Sequence, residues 1–191
     1  MITGILLAAG AGTRFGGDKL RYPLADGTPI GVKAARNLLS AVDHGIAVVR
    51  PSDWQLANLL EKEGLQVAFC PNADTGMGTS LAFGVTAGQD TDGWLIALAD
   101  MPFIQPDTLR GVADLIRAGA PIAVPHHQGN RGHPVGFARE FFNDLVQLSG
   151  ERGAHPLLAA HASCIEALEC EDPGIFSDID TLSDYALAYD V

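Results

Sequence analysis

Short apolar runs and helix-period segments alternate along the first 125 residues, and no other feature of the sequence narrows the fold as far. TGILLAA (3–9), GIAVVR (45–50), LQVAFC (65–70), GWLIALA (93–99) and APIAVP (120–125) are continuous apolar runs of strand length. A strand that is apolar on both sides of its pleat has to be covered on both faces, as in a parallel sheet packed between helices. PIGVKAARNLLSAV (29–42), WQLANLLEKEG (54–64), MGTSLAFGVTAG (77–88) and PDTLRGVADLIRAG (106–119) fill the intervals. The first of these puts Ile30, Ala34, Leu38 and Val42 on one helical face. The last has Pro106 near its first turn and Gly119 beyond its end. The alternation predicts an α/β fold with three α/β/α layers around a Rossmann-like, mostly parallel sheet.

After residue 125 the pattern loosens. HHQGNRGHPVGFA (126–138) reads as a turn leading into a candidate antiparallel strand, with His126 and His127 as solvated loop residues. Helices over EFFNDLVQL (140–148) and HPLLAAH (155–161) and a strand over CIEALEC (164–170) follow. DIDTLSDYALAY (178–189) has Thr181 and Asp184 at the spacing of a capping box. With 191 residues, 47% of them hydrophobic, and no repeat or linker, residues 1–191 read as a single domain with a sizeable core. No apolar run is long enough to span a bilayer, and no basic segment precedes residues 2–9, so these are expected to form a buried strand rather than a signal peptide. Cys70, Cys164 and Cys170 are odd in number and lack metal-ligand spacing, which fits a reduced, cytoplasmic compartment.

One connection is long for its content. Residues 9–28 carry no helix or strand pattern, and loops of that length inside a domain are usually functional or disordered. Gly10, Gly12, Gly16 and Gly17 there suit close approach of backbone to a ligand beyond the carboxyl end of the first strand. LLAAGAGTRFGGDK (6–19) is not a P-loop, because its lysine follows Asp18 and Leu20 stands where the metal-holding hydroxyl belongs. Nor is it a dinucleotide fingerprint, because Phe15 takes the place of the third glycine. A bent nest of backbone amides still binds anions, and Lys19 adds a mobile point charge. The net charge of -11 argues against nucleic acid and anionic membranes as partners. Yet Arg14, Lys19, Arg21, Lys33 and Arg36 cluster in one segment, which suits a small polyanion, although Lys33 and Arg36 would equally serve to solvate a helix face.

Later residues have two readings each. Asp100 follows the apolar run 93–99, where a hard oxygen ligand would suit Mg²⁺ on nucleotide phosphates; otherwise it caps the turn before Pro102. Asp180 is a second carboxylate ligand or a helix N-cap. Thr79 and Ser80, at a predicted helix start, contact phosphate or base, or are ordinary caps. His133 stands at a loop-to-strand junction, as a structural residue or as one that faces a substrate.

LLAAGAGTRFGGDKL resembles the nucleotide-binding loop of the nucleotidyltransferases, roughly L-A-[AG]-G-x-[GS]-x-R-[MF]-G-x-x-K. GMGTSLAFGV (76–85), LADMP (98–102), GNRGHPVGF (129–137) and DIDTLSD (178–184) resemble, in order, motifs of the molybdenum cofactor cytidylyltransferase branch, so the resemblance spans residues 3–184. It implies a sheet of the nucleotide-diphospho-sugar transferase type. It also implies transfer of CMP from CTP to molybdopterin, giving molybdopterin cytosine dinucleotide and pyrophosphate. By the same resemblance Leu7, Ala8, Ala9, Gly10, Ala11, Gly12 and Thr13 would hold the nucleotide, with Thr79 and Ser80. Arg14, Lys19 and Asp100 would both bind it and be catalytic. Mg²⁺ would sit on Asp100 and Asp180, and the acceptor would meet Arg131, Gly132 and His133. Ala9 adds a methyl where glycine would leave room for a purine, which implies CTP over GTP. Within the class, a GTP-dependent molybdenum cofactor guanylyltransferase or a sugar- or polyol-phosphate nucleotidyltransferase is the alternative. Outside it stand a non-catalytic molybdopterin or nucleotide carrier and a member recruited to redox chemistry. A molybdenum hydroxylase apoenzyme or its insertion chaperone is the implied protein partner. The sequence departs from the branch at GERGAHP (150–156), where His155 replaces a customary arginine.

Overall fold

Successive side chains of the central strands enter two different apolar clusters, and that alternation builds the layers. The computed structural model describes residues 1–10 and 12–187, and at Thr13 and Leu187 the backbone alone. Strands β1 (Ile2–Leu7), β2 (His44–Val49), β3 (Gln66–Phe69), β4 (Gly93–Leu98) and β5 (Ile122–His127) alternate with helices α1 (Ile30–Leu39), α2 (Trp54–Lys62), α3 (Met77–Ala87) and α4 (Pro106–Arg117). Then come β6 (Asn130–Arg131), β7 (Val135–Ala138), α5 (Phe142–Val146), α6 (His155–Ala160), β8 (Ile165–Glu169) and α7 (Leu182–Leu187). Ala47 and Val49 of β2 and Leu95 and Ala97 of β4 pack with Leu38 of α1, Leu60 of α2 and Val112 of α4. Their neighbours Ile46, Val48, Trp94 and Ile96 pack instead with Val85 of α3, Leu145 of α5 and Leu158 of α6. Burying a side chain of this size contributes about 1.5–3 kcal/mol. Covering both faces therefore selects the three-layer arrangement that the apolar runs predict.

The strand order is β3-β2-β1-β4-β7-β5-β6, with β8 on β5. β1 runs parallel to β2 and β4, and β7 runs antiparallel to β4 and β5, which is the expected antiparallel extension. His126 and His127 close β5 rather than standing in a loop, and His127 Nδ1 lies 2.8 Å from the Cys170 carbonyl oxygen. The register decides what lies beside what. Leu7 pairs with Leu98, and the Ala99 N–H donates to the Leu7 carbonyl at 3.1 Å. The glycine-rich loop leaving β1 and the Asp100 leaving β4 thus emerge side by side.

A strap after β8 completes this edge. Gln105 contributes no side-chain cap to α4, and the carboxylate of Asp172, only 2% exposed, serves there from a distance in sequence. Its oxygens accept from the Gln105 N–H at 2.9 Å, the Thr108 hydroxyl at 2.6 Å and the Gly174 N–H at 3.0 Å. Asp172→Ala is expected to cost roughly 3 kcal/mol, because it leaves buried donors without an acceptor. Urea melts check this; Asp172→Asn keeps one accepting oxygen and should fall between wild type and Ala. Among the described residues no helix is long and apolar enough to cross a membrane.

Candidate active site

The chain leaving β1 is braced before it turns. Arg50, just past the end of β2, donates from Nε to the Ala9 carbonyl at 2.7 Å. The loop then passes through two short 3₁₀ turns, Thr13–Phe15 and Lys19–Arg21, and buries Phe15 against Leu24, Ile30 and Ile179. Those contacts place Lys19, whose side chain is 10% exposed. Its ammonium donates to Asp100 Oδ2 at 2.8 Å and Asp180 Oδ1 at 2.9 Å, while Arg14 lies 2.8 Å from Asp180 Oδ2.

Asp180 reaches this point through the strap. The Ile179 N–H donates to the Asp100 carbonyl at 2.9 Å, and Ile179 is buried among Phe15, Leu24 and Ile30. The capping box belongs to its neighbour. The Asp184 N–H donates to Thr181 Oγ1 at 3.2 Å, and Asp184 Oδ2 accepts from the Thr181 N–H at 2.7 Å, so Thr181 caps α7 and the Asp180 carboxylate is left for the cations. Asp100 likewise spends its carboxylate on Lys19 rather than on its own turn. Burial alone would lower the pKa of Lys19, but Asp100 and then Asp180 outweigh it and hold it above the usual lysine value. Burial raises Asp178, and the charges of Asp180 and Asp100 raise it further.

These groups line a cavity of about 950 Å³. Leu7, Ala9, Gly10, Gly12, Arg14, Lys19, Ser80, Asp100 and Asp180 are in its wall. Ala8 points the other way, into the core with Leu6, as strand alternation requires. Thr79 is not in the wall; its hydroxyl bonds that of Thr75 at 2.8 Å. Ala11 and the Thr13 side chain lie outside the described residues. Arg131, Gly132 and His133 border a separate, smaller cavity. Arg36 pairs with Glu63 at 2.8 Å, on the helix surface away from both cavities.

The glycines of GMG allow a backbone contact. A Cβ on Gly76 would stand 2.3 Å from the Gly150 carbonyl carbon, and one on Gly78 would stand 2.7 Å from Ser149 O. The Gly78 N–H instead donates to the Gly150 carbonyl at 2.8 Å, closing the start of α3 and bringing the adjacent Glu151 into the large cavity.

Sequence reasoning passed over several wall residues, among them Asp18, Asp53, Trp54, Asp74, Glu151, Asp178 and Arg50, whereas Arg21 belongs to the cationic cluster already noted and is in the wall too. For Arg50 and Asp53 a signal existed, since both follow the carboxyl end of a strand, where such folds build their sites. Among the described wall residues, seven carboxylates (Asp18, Asp53, Asp74, Asp100, Glu151, Asp178, Asp180) face four cations (Arg14, Lys19, Arg21, Arg50).

A mostly parallel sheet covered on both faces, with a glycine-rich loop and charged residues at the carboxyl ends of β1 and β4, defines a nucleotidyltransferase of the nucleotide-diphospho-sugar transferase fold. The chain belongs to the MobA-like NTP transferase domain family, which matches residues 4–165. It is 32% identical to the purine catabolism protein PucB of Bacillus subtilis, over 96% of this chain and 94% of that one. It is 28% identical to the nicotine blue oxidoreductase of Paenarthrobacter nicotinovorans, over 95% and 93%. Among solved structures, Rv0371c of Mycobacterium tuberculosis superposes with a TM-score of 0.86 at 27% identity, covering 100% of this chain and 97% of that one. The complex of Rv0371c with manganese gives a TM-score of 0.82 at 26% identity, covering 99% and 98%.

Proposed function

We propose that this chain transfers CMP from CTP to molybdopterin, giving molybdopterin cytosine dinucleotide and pyrophosphate. The observation that carries the reading is the Lys19 ammonium, held between Asp100 and Asp180 in the wall of a cavity that begins at the glycine-rich loop. In-line attack by the acceptor's terminal phosphate on the α-phosphorus of CTP asks the protein for positioning and charge neutralisation, not for a nucleophile. The loop amides would orient the triphosphate. Lys19 and Arg14 would stabilise the charge that grows on the α-phosphate oxygens and on departing pyrophosphate.

A divalent cation fits this donor set. Asp100 and Asp180 lie within 2.8 and 2.9 Å of one ammonium, so both could reach one ion. Among the described residues no third His, Cys, Asp or Glu side chain completes a cluster, which suits Mg²⁺, since it usually takes one or two carboxylates plus waters and substrate phosphates. When bound, Mg²⁺ would neutralise phosphate charge and align the reacting oxygens. The excess of carboxylates in the wall supports the same reading, because it would repel an unaccompanied triphosphate. Manganese bound to Rv0371c supports it by analogy. A molybdenum hydroxylase apoenzyme or its insertion chaperone is the partner class that would take the product.

Ala9, 5% exposed in the cavity wall, carries the base preference. CTP is expected to outrun GTP by roughly 10- to 200-fold, the discrimination that one methyl in a pocket provides. Mass spectrometry of products after incubation with molybdopterin, Mg²⁺ and each nucleoside triphosphate tests both points. Equal turnover of GTP and CTP would reject the base assignment. Absence of any dinucleotide, together with tight binding of NADPH, would favour redox chemistry of the kind named for the Paenarthrobacter relative.

A further inference from the structure

Asp180 has both carboxylate oxygens engaged. Oδ1 accepts from the Lys19 ammonium at 2.9 Å, and Oδ2 lies 2.8 Å from Arg14. Asp100 Oδ2 accepts from the same ammonium at 2.8 Å. A positive charge thus bridges the two carboxylates that the transfer reading gives to a divalent cation. Ammonium and metal ion compete there, since both need the same oxygen lone pairs and like charges so close together repel.

The two carboxylates are the fixed part of this arrangement. The Asp100 carbonyl accepts from the Ile179 N–H at 2.9 Å, and the Asp180 N–H donates to Asp184 Oδ2 at 3.0 Å. The lysine is the movable part. Its backbone is held without the ion pairs, because its carbonyl accepts from the Tyr22 N–H at 3.0 Å and the adjacent Leu20 packs against Phe15, Leu24 and Ile30. A flexible four-carbon stem then lets the ammonium move while the turn stays in place. Gly10 and Gly12 share the cavity wall with Lys19, so a triphosphate held by the glycine-rich loop enters the space that the lysine borders. Without such a receiver the move is costly. The Lys19 side chain is 10% exposed, and an ammonium displaced from both carboxylates would be a half-buried charge with no counter-charge.

We infer that Lys19 is an exchangeable counter-ion. It holds Asp100 and Asp180 until a nucleoside triphosphate arrives with its divalent cation, and it passes to the phosphates as the cation takes the carboxylates. The inference rests on the nucleotidyl-transfer reading and adds a coupling between two ligands. The cation alone binds weakly, the nucleotide strengthens it, and by linkage the cation strengthens the nucleotide by the same factor.

Mn²⁺ titration of the whole protein, followed by the electron paramagnetic resonance of free Mn²⁺, tests this without turnover. It is run with and without α,β-methylene-CTP, with chelation by the free analogue subtracted. The analogue should raise the Mn²⁺ affinity of wild type at least 10-fold. Lys19→Met, which keeps the length of the stem and removes the charge, should bind Mn²⁺ alone at least 10-fold more tightly than wild type and gain far less from the analogue. Lys19→Arg, which keeps the charge, should bind Mn²⁺ alone as weakly as wild type. A lysine that merely contributed to the general field would give a different result: Lys19→Met would tighten Mn²⁺ equally with and without the analogue. That outcome would overturn the inference, as would wild type binding Mn²⁺ alone as tightly as Lys19→Met, or no gain from the analogue in wild type. Calorimetry with the analogue keeps the two readings apart. Analogue binding without the difference in coupling would sink the exchange alone, whereas failure to bind the analogue would sink the transfer reading beneath it.

Discussion

Asp100→Asn is expected to fold as wild type does and to lose on the order of 10³ in kcat. Asparagine keeps the shape of the aspartate and removes its charge. Lys19 would retain Asp180 at 2.9 Å, so the loop stays anchored, but the cavity would lose the carboxylate that leaves β4 directly beside the glycine-rich loop. Turnover measured against Mg²⁺ concentration, with thermal melts alongside, checks both halves of the expectation. Asp180→Asn should behave similarly. Because Thr181 rather than Asp180 caps α7, its substitution should not show the 0.5–2 kcal/mol or so that loss of a cap costs. Wild-type turnover in Asp100→Asn would remove that residue from the mechanism. A stability loss without a turnover loss in Asp180→Asn would leave Asp100 acting alone.

Lys19→Ala is expected to lower kcat by roughly 10²–10³ and to raise KM for CTP by much less. Charge on the pyrophosphate grows as the bond to the α-phosphorus breaks, so a cation there binds the transition state better than the ground state. The two carboxylates hold Lys19 above its usual pKa, and it therefore stays protonated throughout the neutral range. Its loss also leaves Asp100 and Asp180 facing each other without the ammonium between them, so the Mg²⁺ requirement of the variant should change as well. Steady-state kinetics with CTP varied separate the outcomes: an effect confined to KM would mean that Lys19 anchors ground-state nucleotide and nothing more.

Much of this molecule was legible in the sequence because it depends on neighbours along the chain. Two-sided apolar runs and helical-period segments each report local geometry, and they mark out β1 to β5 and α1 to α4 in order. The glycine-rich loop at 10–17 and the carboxylate at Asp100 could be located for the same reason, since each follows directly on a strand that the pattern identifies. Thr181 and Asp184 form the capping box that their spacing announced. Where local patterns had two readings, as at Asp180 or Thr79, no amount of further inspection of nearby residues would have separated them.

Tertiary structure decided the rest, because it concerned groups brought together from distant parts of the chain. Whether Asp100 meets Lys19 depends on β1 pairing with β4 in the register Leu7–Leu98, a choice set by the burial of whole strand faces. Whether Asp180 joins them depends on Asp172 capping α4 and on the Ile179 N–H finding the Asp100 carbonyl. Ala8 and Ala9 are adjacent and chemically identical, yet they enter opposite core clusters and only Ala9 also borders the large cavity, because successive residues of an extended chain point to opposite sides. His133 Nδ1 is buried without a hydrogen-bond partner among the described residues, beside a cavity that β7, α3 and α6 help to line. Sequence by itself determined which segments become strands and helices and where the glycine-rich loop lies, since those follow from periodicity and backbone freedom. Only the packed fold decided which charges share a cavity and which buried atom lacks a partner among the described residues, since those depend on contacts between segments that the linear pattern leaves independent.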